Sequence, residues 1–166
     1  MSKKIFLNLG RQPVTNSYLN NLKNLNKEYF YDLRVTYNIK NNLVSLANYV
    51  KPTMMFNNKY AHRASSSKTM QLHFKKLSNE CKKKIKKVKC LEIGSNDGVF
   101  IKNFSKKSTV AVEPCSNLAN LTKKSGYTTY PVFWNKKISN KILIKHGKRN
   151  LIFSANTISH IEKLDE

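Results

Sequence analysis

Three cysteines, Cys81, Cys90 and Cys115, are all that the 166 residues carry, and no two stand close together. That spacing argues against a disulfide framework and a CxxC zinc site, and a reducing, cytoplasmic compartment is the expectation. No window approaches the roughly 20 apolar residues of a membrane span. The opening MSKKIFLNLGRQPV has two lysines but no apolar h-region and no small-residue cleavage site, so no secretory signal is expected. Internal repeats and low-complexity linkers are missing too. Acids are scarce, nine Asp and Glu against 31 Lys and Arg, and the net charge is +22. Such a balance invites a nucleic-acid reading. The lysines are dispersed, however, among many Asn and Ile residues. The densest run, CKKKIKKVKC (81–90), has no interleaved aromatics on which bases would stack. It closes a helix pattern, where lysines suit the helix dipole and a solvated face. A nucleic-acid-binding basic protein is therefore the weaker alternative, although a basic surface would assist phosphorylated substrates.

What is present suffices for a core, since 40% of the chain is hydrophobic. The length allows one domain, or a small domain with part of another. Short β-like stretches, KIFLNLG, FYDLRVTYN and LVSLANYV, separated by Asn-rich turns, suggest a small β-rich segment over 1–60. Residues 61–87 read as a connecting helical region. Met70, Phe74, Leu77, Cys81, Ile85 and Val88 recur at three- and four-residue steps, and SSSK offers hydroxyls for an N-cap. From 88 to 166 the pattern alternates. VKCLEIG, TVAVEP, TTYPVF and NLIFSANT read as strands. NDGVFIKNFSKK, SNLANLTKKSG and NKKISNKILIKHG read as helices, Gly126 being a C-terminal stop for the second. Pro131 places the third strand near an edge. The alternation implies an α/β fold with a doubly wound, Rossmann-like parallel sheet. Four strands leave it incomplete, so a partner chain completing the sheet is a further expectation.

LEIGSNDGVF (91–100) concentrates two of the five glycines with Asn96 and two acids. In a doubly wound sheet, ligands bind at the carboxyl ends of the strands. Gly94 would let a ligand approach the backbone, and Gly98 would allow close packing. A dinucleotide loop would be GxGxxG, with N–H groups facing pyrophosphate. Here Glu92 and Asp97 flank the glycines, a setting that disfavours phosphate and suits a cationic ligand. Glu113, ending the second strand, is placed to accept from ribose hydroxyls. Ribose plus a cation without phosphate describes S-adenosylmethionine (SAM).

At finer grain the chain resembles the class I SAM-dependent methyltransferases, specifically the sugar C-methyltransferases acting on nucleotide-linked deoxyketosugars. LGRQPVTNSYL (9–19) is similar to the family's LGxxPxxNxxL. KYAHRASSSKTMQLHF (59–74) is similar to its Tyr-x-Tyr-x-x-Ser segment. LEIGSNDGVF with VEP resembles its SAM signature, and SANTISHIEKL (154–164) its A-N-x-x-x-H motif. The resemblance implies SAM contacts from Glu92, Gly94, Asn96, Asp97, Gly98, Glu113 and Asn156, with a nucleotide-linked sugar as substrate. C-methylation beside a ketone needs a base for the α proton. His160 could be that base, and Tyr60 could orient the substrate. Phe133 and Trp134 are candidates to flank adenine, while His73 and His146 read as structural or solvent-facing.

The departures are specific. Family members open with two CxxC pairs on zinc, but Asn38 and Asn41 of NIKNNLVSL stand where cysteines would be, and His62 replaces the second Tyr. The family's downstream Tyr/Glu/His cluster has no counterpart here. A truncated or split enzyme, or a SAM-binding module without its own activity, are the alternatives that follow. Amides are poor substitutes for thiolates on zinc. Elemental analysis of chain purified without added metal should therefore find no stoichiometric zinc.

Overall fold

The computed structural model describes residues 3–19 and 21–161. It divides into two units, Met1–Met55 and Phe56–Glu166. In the first, β1 (Lys3–Pro13) pairs antiparallel with β2 (Phe30–Asn38), which pairs antiparallel with β3 (Leu43–Leu46). Asn38 and Asn41 shape the β2–β3 turn. Asn38 Oδ1 accepts from the Lys40 N–H at 3.0 Å, and Asn41 Oδ1 accepts from the Leu43 N–H at 3.2 Å. Short polar side chains bonding the backbone two residues on are a common turn device. A single-turn helix, α1 (Pro52–Met55), ends the unit.

In the second unit α2 (Lys68–Lys84) begins where the hydroxyls predict: Ser67 Oγ accepts from the Met70 N–H. Phe74 is buried on its inner face, with Met70, Leu77 and Cys81 packed beside it. The helix stops short of Ile85 and Val88, although the apolar spacing continues. Asn150 takes over the backbone there, its Oδ1 accepting from the Lys89 N–H and its Nδ2 donating to the Lys87 carbonyl. Lys87 itself is left-handed, with φ of +52°.

Four strands follow, β4 (Cys90–Ile93), β5 (Thr109–Val112), β6 (Thr128–Tyr130) and β7 (Leu151–Phe153), parallel and ordered β6-β5-β4-β7. Every residue of β4 and β5 is buried, which is why these segments are continuously apolar apart from Glu92 and Thr109. β6 lies at one edge and ends just before Pro131. α3 (Ser116–Lys124) connects β5 to β6, and α4 (Lys136–His146) carries the chain back to β7 on the other side of β4. Leu91, Ile93, Val110 and Val112 meet Ile138 and Ile142 of α4 on one face. Cys90 and Ala111 meet Phe74 of α2 and Phe100 on the other. Helices on both faces and a reversal of strand order at β4 make this a Rossmann-like α/β fold, as the alternation implies.

One expected helix is not there. NDGVFIKNFSKK forms two isolated 3₁₀ turns, Ile101–Asn103 and Lys106–Ser108. Val99, Phe100, Ile101 and Phe104 are all buried, so the segment enters the core as a block, while Lys102, Ser105, Lys106 and Lys107 remain exposed. Asn103 Nδ2 donates to the carbonyls of Val99 and Phe100, competing for the acceptors a helix would use.

Phe100 is the centre of that block. It is fully buried, stacks on Phe153 with ring centroids 3.9 Å apart, and meets Phe74 and Phe104 edge-on at 5.9 and 5.1 Å. Phe100→Ala should lower stability by about 3–5 kcal/mol, the usual cost of emptying a packed aromatic site. Urea denaturation measures it, and a loss under about 1 kcal/mol would mean that the block re-collapses around the gap.

Candidate functional site

The reversal of strand order puts a crevice at the carboxyl end of β4, and the glycine loop lies there. Gly94, Asn96 and Gly98 all have positive φ, at +75°, +49° and +82°. The Gly94 and Ser95 N–H groups both donate to the Val112 carbonyl, at 2.8 and 3.1 Å, which folds the loop over the end of β5. A Cβ on Gly98 would stand 2.8 Å from Thr122 Cγ2 of α3, so this glycine serves close packing. At Gly94 the outcome differs from the expectation of open approach. A Cβ there would fall 2.1 Å from Thr157 Oγ1, so the loop after β7 already covers that glycine.

Glu113 joins the two loops. Its carboxylate accepts from the Asn96 N–H at 2.7 Å and from the Cys115 N–H at 2.9 Å. Burial raises its pKa, Asp97 adds to the rise, and the two backbone donors oppose it. Glu92, on β4, is 3% exposed, and one of its carboxyl oxygens has no hydrogen-bond partner. Burial pushes it well above the usual carboxylate range; the Ile101 backbone opposes this, and Glu113 and Asp97 reinforce it. Three carboxyl groups thus share one small region with no salt bridge to any of them among the described residues. A cation arriving there would favour release of the retained protons and would meet the unpartnered Glu92 oxygen.

A segment before α2 crosses over these loops. The Ala64 N–H donates to Asn96 Oδ1 at 2.9 Å, and the Ser65 N–H and hydroxyl donate to Asp97. Asn96 Nδ2 donates to the His62 carbonyl, and Asn117 Nδ2 to the Tyr60 carbonyl at 2.8 Å. Gln71 Nε2 donates to the Ser65 carbonyl, tying this strap to the first turns of α2. The strap also carries aromatic rings. Phe56 lies 5.6 Å from Tyr60 and 5.1 Å from His160, centroid to centroid, and His62 meets Tyr60 edge-on.

The structure therefore gathers Glu92, Gly94, Asn96, Asp97, Gly98 and Glu113 at one strand end. It brings the rings of Tyr60 and His160 each within about 6 Å of Phe56. Asn156 is exposed and left-handed, φ +54°, immediately before Thr157. Of the A-N-x-x-x-H stretch, residues 162–164 lie outside the described residues. Trp134 packs against the Leu91 core cluster. His146 is hydrogen-bonded at Nε2 to the Tyr130 hydroxyl, and His73 is exposed. Phe56, Ser65, Asn117 and Thr157 were not singled out in the sequence. Ser65 reads there only as a capping hydroxyl, and Phe56 has no periodic pattern around it. Among the described residues no three His, Cys, Asp or Glu side chains cluster as a metal site, and no helix is long and apolar enough to cross a membrane.

No protein-family model matches the chain. Among curated proteins it is similar to the C-methyltransferase NovU of Streptomyces niveus, 24% identical over 165 residues. The likeness is distant. It covers 96% of this chain but 39% of that protein, so the chain spans about two-fifths of the relative's length.

The raised carboxyls have a consequence for stability. The unfolded chain releases these protons near the ordinary value of 4.5, while the folded chain retains them to higher pH. Their contribution to stability is thus fully present below that value and is lost as pH rises through the interval up to the folded-state values. Glu92→Gln, which cannot ionise, should be more stable than the parent at neutral pH and should flatten the decline above 4.5. Urea midpoints across that interval decide it, and identical slopes for both proteins would show Glu92 to be ionised in the fold.

Proposed function

We propose that the loop after β4 binds SAM, and that the chain serves methyl transfer to a carbon of a nucleotide-linked deoxyketosugar. One observation carries the binding claim. A buried carboxyl oxygen on Glu92 has no partner and lies in a cluster with Glu113 and Asp97 at the switch point of a Rossmann-like sheet. The similarity to a C-methyltransferase supports the class of reaction.

The residues present fit such a donor. A carboxylate has about four lone-pair positions, so Glu113 keeps acceptor capacity for ribose hydroxyls after bonding Asn96 and Cys115. Asp97 supplies negative charge for the cationic end, Glu92 offers its unpartnered carboxyl oxygen, and Gly94, Asn96, Gly98 and Asn156 form the loops around it. For a ligand to lie against Gly94, Thr157 must withdraw. When bound, the donor supplies an electrophilic methyl group on a sulfonium. The chain's own part is to hold the acceptor, exclude water and take a proton. His160 is the candidate base for the proton beside the sugar ketone. Tyr60, which also packs on Phe56, is the candidate orienting group. A further strand, from a partner chain, would pair along β7, where Ile152 is 63% exposed.

Calorimetry with SAM tests the binding claim. Glu113→Gln should weaken affinity by about 1.5–3 kcal/mol if its contact is charge-assisted, and a Lys124→Gln control should not. Equal affinity for the parent and Glu113→Gln would remove Glu113 from the site, and no SAM binding by the parent would overturn the reading. Methyl transfer from labelled SAM to a nucleotide-linked 4-ketosugar tests the catalytic claim separately. His160→Ala should lower that rate by about 10²-fold or more, with SAM affinity unchanged.

A further inference from the structure

The opposite edge of the parallel sheet has a feature that the donor site does not use. A cleft of about 530 Å³ opens beside the amino ends of β4 and β5, lined by Lys82, Lys86, Lys87, Phe104, Ser105 and Ser108 among others. No acid lines it. The only two salt bridges among the described residues are Arg34–Asp32 and Lys83–Glu80, so none of its three ammonium groups is paired. Arg149 adds positive charge from behind, since its Nη1 donates to the Ser108 carbonyl at 3.2 Å. The carbonyl end of α2 faces this region with a partial charge of about −0.5, well short of balancing three full positive charges. All three lysines are exposed, and an anion entering the cleft would meet three positive charges and no negative one.

We propose that this cleft binds a compact polyphosphate, of the nucleoside di- or triphosphate class. The volume falls within the range of about 300–1,000 Å³ common to small-molecule sites. Three cations around one cleft match several phosphate charges in close succession. Compact polyphosphate is favoured over a single-stranded nucleic acid by the aromatic content. Phe104 is the one aromatic lining residue, 7% exposed, with the Lys82 ammonium 5.4 Å from its ring centroid. It gives successive bases no platform on which to stack. The cleft lies at the amino edge and the glycine loop at the carboxyl edge, so this inference does not depend on the donor reading.

Calorimetry of the full chain with ATP and with inorganic tripolyphosphate, in about 0.15 M salt, reads the site directly. The triple variant Lys82→Gln/Lys86→Gln/Lys87→Gln should lose about tenfold or more in affinity for both. A control that removes the same charge elsewhere, Lys123→Gln/Lys124→Gln/Lys136→Gln, should stay within about twofold of the parent. Circular dichroism establishes that both variants fold. Equal losses in the two triples would show binding by overall charge and overturn the proposal. So would the absence of binding to either polyphosphate, or binding of an oligothymidylate alone.

Discussion

Two backbone N–H groups, from Asn96 after β4 and Cys115 after β5, converge on the carboxylate of Glu113. Backbone donors inside a fold must find acceptors or cost free energy comparable to a lost hydrogen bond. Here a side chain supplies what a third strand end cannot. The left-handed Asn96 then has its N–H directed at Glu113 and its side chain directed outward, where it bonds Ala64 and His62. Loop, strand end and strap are thereby tied through one carboxylate. The geometry of the whole crevice depends on that acid at that position.

The same arrangement has an electrostatic cost. Glu113 is compensated by its donors, whereas Glu92 has an oxygen without any. A protein that needed only a stable core would place Ile or Val at position 92, as the flanking Leu91 and Ile93 do. Strand continuity, with all four residues of β4 buried, makes the acid costly. A buried acid with an unpartnered oxygen at a switch point is the kind of local inconsistency that functional sites carry. The strap has the opposite character, with every polar link from Asn96 and Asp97 to it satisfied. Ser95 Oγ, in the same loop, and Asn117 Oδ1 beside it are likewise buried without partners, so the unmet polar atoms gather around this one strand end.

The sheet was legible because its strands are short apolar runs bounded by Gly, Pro and Asn, and because the intervening helices carry one apolar stripe each. Residues 98–104 misled for the same reason: Val99, Phe100 and Phe104 have helical spacing, but the Asn103 side chain bonds the Val99 and Phe100 carbonyls and competes for the acceptors of a helix. The end of α2 misled because Asn150, more than sixty residues away, captures the backbone at Lys87 and Lys89. The glycine-and-acid loop stands out in the sequence, since acids are rare in this chain. The strap does not. Its bonds run from backbone to the side chains of a distant loop and leave no periodicity to detect, and Thr157 reaches Gly94 from beyond the last strand in the same way.

Charge separates the two edges of the sheet. The acids Glu92, Asp97 and Glu113 are three of only nine in the chain, and all sit at the carboxyl edge. The amino edge carries Lys82, Lys86 and Lys87 with no acid among them. Three acids together at one edge lower the local potential where a cation would arrive, while Glu80, on the last turns of α2, is paired with Lys83. Parallel strands make this possible, because every β-to-α loop falls on one edge and every α-to-β loop on the other. One sheet can therefore present an anionic crevice and a cationic cleft some four residues of strand apart, each shaped by a different set of loops.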